Sequence, residues 1–131
     1  MNCHDTSNPL VQAELSDVFV RYEVALVQGN QEELRDMFWD DPRTLRYGIA
    51  DRQYGIDEIT TWRNRQGPLP PGRRLFDTQI TTFGDSAATV NTCFSYPGSH
   101  KIGRQSQTWV RFEGGWKIVS AHVSEVPEDI E

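Results

Sequence analysis

The apolar residues of this chain change period once, and that change limits the fold more than any other feature of the sequence. Before the loop Gly67-Pro68-Leu69-Pro70-Pro71-Gly72 they recur at helical spacing, as in the stripe Val11, Leu15, Val18, Phe19, Tyr22, Ala25 and Leu26. After it they alternate at period two, which is the signature of strands. The loop itself suits neither helix nor ladder strand, because proline lacks the N–H and glycine is too free. The first helix stops at Gly29-Asn30. A second runs over about residues 31–38, with Glu32 and Glu33 in the first turn where the helix dipole favours acids, and ends before Asp41-Pro42.

Thr44 to Tyr47 then reads as a strand, Gly48 to Gly55 as a tight return, and Ile56, Ile59 and Trp62 as a third helix ending near Gln66. Beyond the loop, Arg73–Phe83 and Ala87–Tyr96 pair around Gly84-Asp85, and Ile102–Glu113 and Trp116–Ser124 pair around Gly114-Gly115. Three N-terminal helices must bury their stripes against one face of a curved antiparallel sheet, giving an α+β roll with a pocket between the layers. A single domain over residues 10–126 is expected, with flexible tails at 1–9 and 127–131.

The charge balance narrows the function. A net charge of −6 argues against nucleic acid, which demands a basic face. Arg63, Arg65, Arg73 and Arg74 cluster loosely and read as a solvated surface. There is no apolar run near membrane-spanning length and no charged-then-apolar leader. Cys3 and Cys93 make no disulfide framework, so a reducing cytoplasm is the default compartment. Cys3, His4 and Asp5 are adjacent rather than spaced as metal ligands are, and no metal or cofactor is expected.

Arg46 is the odd residue. It falls inside a short strand between Leu45 and Tyr47, where a guanidinium is costly to bury without an anion. Either it pairs with an internal acid such as Asp77 or Asp57, or it anchors a ligand carboxylate or imide carbonyl through its fork of donors. Tyr22, on the buried stripe of the first helix, faces the same sheet. In the last strands Gln105, Gln107 and Trp109 share one face and Ser106, Thr108 and Val110 the other, while Trp116, Ile118, Ser120 and His122 share a face in turn. Phe76, Phe94 and Tyr96, if outward, suggest a homodimer.

The segments Arg21-Tyr22-Glu23-x-Ala25-Leu26-Val27, Phe38-Trp39, Thr44-x-Arg46-x-Gly48 and Gly103-Arg104-Gln105-Ser106-Gln107-Thr108-Trp109 carry a resemblance, together with Gly115-Trp116-Lys117-Ile118-Val119-x-Ala121-His122. Over about Leu10 to Ser124 the chain resembles the nuclear transport factor 2-like, or SnoaL-like, cone-shaped fold. More narrowly it resembles the family of oxalurate-catabolism accessory proteins and the 1-carboxybiuret decarboxylase of cyanuric acid breakdown. That resemblance implies cofactor-independent decarboxylation of 1-carboxybiuret to biuret, with Tyr22 and Arg46 as the catalytic pair. Arg63, Ser106, Gln107, Trp109 and His122 are the candidate substrate contacts. The rival expectations are an accessory module for an amidase in ureide breakdown, and an isomerase or dehydratase using Asp77 or His122 as base.

Overall fold

The computed structural model describes residues 6–129. Cys3, His4 and Asp5 lie outside them. The elements are α1 (Pro9–Gln28), α2 (Gln31–Met37), β1 (Leu45–Tyr47), β2 (Arg52–Tyr54), α3 (Ile56–Asn64), β3 (Arg74–Phe83), β4 (Ala87–Ser95), β5 (Lys101–Phe112) and β6 (Gly115–Pro127). Local chemistry explains the helix ends. The Asn8 side chain accepts from the N–H groups of Leu10 and Val11 and Pro9 opens α1, while Gly29, at φ 69°, closes it in the left-handed region that glycine adopts freely. Asn30 caps α2 by accepting from the Glu33 N–H.

Two pairings lie outside residues 10–126. Thr6 bridges to Phe83, and Pro127 pairs with Lys101 at the end of β6. Among the described residues no helix is long and apolar enough to cross a membrane.

The sheet order is β2-β1-β6-β5-β4-β3. The expected sheet was antiparallel throughout, but β1 runs parallel to β6, with Arg46 opposite Ala121. This follows from topology: β1 enters after α2 and docks on the strand at the end of the chain. The helices cover one face, and Leu15, Phe19, Leu34, Phe38, Val90, Trp109 and Ile118 are all buried between the layers. This is the nuclear transport factor 2-like α+β fold.

Two bulges shape the sheet. In β3 the register shifts between Phe76 and Gln79, where Asp77 has φ 55°. In β6 the partner of Thr108 is Ser120 and that of Trp109 is Ile118, so Val119 is an extra residue. The second bulge swaps faces: Trp116 and Ile118 point to the helices before it, and Ala121, Val123 and Glu125 after it.

Candidate functional site

Between the helices and the concave face lies a cavity of about 420 Å³. Arg46 reaches it because β1 places its odd residue opposite inward-facing Ala121. Its Nη1 donates to Asp51 Oδ1 at 2.5 Å and to Gln53 Oε1 at 2.8 Å, and its guanidinium lies 3.7 Å from the Trp62 ring centroid. Gln53 Nε2 donates to Asp51 Oδ1 in turn, closing a three-membered network. Burial pushes the Arg46 pKa below its ordinary value, against the opposing pull of Asp51, and nearby Arg63 pushes the same way.

Neither Asp77 nor Asp57 is the partner of Arg46. Asp77 sits exposed in the β3 bulge and Asp57 exposed in the first turn of α3. Asp51 wins because the β1–β2 hairpin folds it back: Gly48 donates its N–H to the Asp51 carbonyl at 2.8 Å. Gly48 also makes the pair possible. A Cβ there would run into the Asp51 carboxylate and would stand 2.7 Å from Arg46 Nη1.

Tyr22 lines the same cavity, packed edge-on against Trp109 at 6.2 Å between ring centroids. Its hydroxyl has no hydrogen-bond partner among the described residues. The Nε and Nη2 donors of Arg46 have none either, so both polar groups remain available to a ligand.

Gln107 lies on the cavity wall, and its Oε1 accepts from the Trp109 indole N–H at 3.0 Å. That bond engages the amide oxygen and leaves the NH₂ group without a partner among the described residues. Trp109 itself is fully buried and does not line the cavity, so it acts on Gln107 rather than on a ligand. Arg63, half-buried on α3, does line it, 5.1 Å from the Trp62 centroid.

Ser106 and His122 do not reach the cavity. They are exposed and pair with one another on the opposite face, where His122 packs against Tyr47. The reason is Val119: simple alternation would keep His122 on the face of Trp116 and Ile118, and the extra residue turns it outward. Neither Asp77 nor His122 is therefore placed as a cavity base. Phe94 and Tyr96 face the cavity rather than the outer surface, whereas Phe76 does not line it.

The sequence reading also missed a second polar cluster. Arg73, read as surface, has a side chain only 5% exposed. Its Nε donates to Glu23 at 2.9 Å, its Nη2 to Gln105 at 3.1 Å and its Nη1 to the Tyr96 hydroxyl at 3.3 Å, and it lies 4.2 Å from the Phe94 centroid. Burial opposes its charge, but Glu23 and Tyr96 outweigh that and raise its pKa above the ordinary value. Phe94 reaches this position because residue 103 is glycine; a Cβ there would penetrate the ring. The sequence signal was the Gly103-x-Gln105 spacing on an inward strand face. Among the described residues no three His, Cys, Asp or Glu side chains gather as a metal set.

The comparisons agree with this architecture. The chain is 44% identical to a cystatin-like fold protein from Burkholderia xenovorans (TM-score 0.91, covering 94% of this chain and 97% of that one). It is 43% identical to a DUF3225-family protein of unknown function from Pectobacterium atrosepticum (TM-score 0.91, covering 93% and 95%). A nuclear transport factor 2-like superfamily protein from Salmonella enterica shares the fold at 21% identity and TM-score 0.72, covering 95% of each chain. No curated protein matches. The AtzH-like family model matches residues 4–129, and the chain belongs to the AtzH-like family.

Proposed function

We propose that the cavity binds an N-carboxylated ureide and releases its carboxylate as carbon dioxide, converting 1-carboxybiuret to biuret. One observation carries this reading: Tyr22 and Arg46 line one cavity, and the Tyr22 hydroxyl and the Nε and Nη2 donors of Arg46 have no partner among the described residues. In the reaction the N–CO₂⁻ bond breaks and its electron pair stays on nitrogen, delocalised onto the adjacent carbonyl oxygen. Arg46 donates to that oxygen, where charge grows as the bond breaks. Tyr22 passes its proton to the nitrogen and regains one from solvent at the mouth. Gln107, whose amide oxygen is engaged by Trp109 and whose NH₂ has no partner among the described residues, donates to a second ureide carbonyl.

An Arg46 that gripped only the intact carboxylate would stabilise the ground state as much as the transition state, and so would improve binding more than rate. Contact with the carbonyl oxygen avoids that. The family assignment supports the ureide class, and the resemblance to the decarboxylase of cyanuric acid breakdown favours 1-carboxybiuret within it.

The test generates 1-carboxybiuret in situ by hydrolytic ring opening of cyanuric acid and follows its loss against the spontaneous rate. Acceleration that disappears in Tyr22→Phe and Arg46→Ala supports the reading. An unchanged rate overturns it, and stable complex formation with an amidase would then favour an accessory role.

A further inference from the structure

We propose that Arg46 and Arg63 divide the ligand between them: Arg46, balanced by Asp51, holds the uncharged carbonyl oxygens, and Arg63 takes the carboxylate. The assignment rests on the ureide reading above and specifies which end of the ligand lies where. The two guanidiniums flank the same indole, at 3.7 Å and 5.1 Å from the Trp62 centroid. Their electrostatic states differ. Arg46 is ion-paired with Asp51, its side chain 11% exposed, so the pair offers hydrogen-bond donors with little net charge. Arg63 has no hydrogen bond or ion pair to any of the described residues, and it lines the cavity.

Charge bookkeeping at this end leaves one positive charge, because two arginines face one aspartate, and that matches a monoanion. The far end repels a carboxylate. Arg73 is neutralised there by Glu23, and Glu125 lines the cavity as a carboxylate with no partner among the described residues. Glu125 lies four residues along β6 from Ala121, the partner of Arg46, or roughly 13 Å along the strand. A ligand with a carboxylate at one end and an amide NH₂ at the other is thus oriented by both ends of the cavity.

The division suits the chemistry. As carbon dioxide leaves, negative charge moves from the carboxylate to the imide oxygen, that is, away from Arg63 and onto Arg46. Arg63 therefore contributes to binding, and Arg46 to both binding and rate.

The test is calorimetric binding of two stable probes to the intact protein. Malonurate carries CH₂ in place of the N–H that bears the carboxylate; biuret has no carboxylate. Arg63→Gln is expected to weaken malonurate about tenfold or more while leaving biuret within about twofold, and Arg63→Lys to restore much of the loss, since a point charge suffices. Arg46→Gln is expected to weaken both probes. In turnover, Arg63→Gln raises KM and leaves kcat nearly unchanged. Equal weakening of both probes by Arg63→Gln, or of neither, overturns the division while wild-type binding keeps the ureide reading intact. Wild-type protein that binds neither probe overturns the ureide reading, and the division with it.

Discussion

The Arg46 guanidinium lies over the Trp62 indole, 3.7 Å from the ring centroid, while Asp51 and Gln53 hold a single nitrogen of it. One face is stacked and one edge tied, which leaves the other edge presented to the cavity in a fixed direction. A desolvated cation–π contact is worth about 1–2 kcal/mol. Trp62→Leu is therefore expected to lower biuret affinity roughly tenfold, with a larger effect on kcat/KM as Arg46 loses its alignment. Titration calorimetry and steady-state kinetics read the two effects separately.

Tyr22→Phe separates chemistry from stability. The hydroxyl makes no hydrogen bond to the described residues, whereas the ring packs against Phe19, Phe38 and Trp109. The melting temperature should stay where it is, while under the proposed reaction the decarboxylation rate falls about 10²–10⁴-fold, the usual scale for a general acid. A large fall in melting temperature would show the hydroxyl to be structural.

Gly48→Ala tests the space that lets Arg46 and Asp51 meet. The added methyl collides with both side chains, and overpacking of this kind costs about 1–3 kcal/mol. Urea denaturation should register that loss, and activity should fall with it because the Arg46 fork is displaced. Activity at the wild-type level would mean that Arg46 does not need Asp51.

The Arg73–Glu23 pair has side chains only 5% and 12% exposed. Removing one partner strands a buried charge, so Arg73→Met is expected to cost on the order of 3 kcal/mol in urea denaturation. It should also loosen Tyr96 and Gln105, which Arg73 holds, and hydrogen exchange in β4 and β5 would report that. The double variant Arg73→Met with Glu23→Leu should recover part of the loss, because neither charge then remains unpaired.

Ser106→Ala and His122→Ala are expected to leave kcat/KM within about twofold, as exposed substitutions away from a site usually do. Trp109→Phe, by contrast, frees the Gln107 amide to turn and should raise KM. The contrast between outer-face and inner-face variants checks the position of the β6 bulge by kinetics alone.

The helical stripe of α1, the loop at Gly67–Gly72 and the glycine turns determined the element order and the α+β class, because periodicity and backbone constraint are local properties of a sequence. Arg46 and Tyr22 stood out on the same grounds, a charge within a strand and a polar tip on a buried stripe, and both line the cavity. The partner of Arg46 was not legible. Asp51 is one acid among many until the Gly48 turn brings it back across the hairpin, and Arg73 looks like a surface arginine until α1 carries Glu23 over it. Nor could alternation reveal Val119. One extra residue reverses every side chain after it, sends His122 outward and turns Glu125 in, at no visible cost in the hydrophobic pattern. Sequence alone determined which local structures form and which residues stand out in their local setting. Tertiary structure decided which of them meet, since pairing and facing depend on register, and register is set between strands.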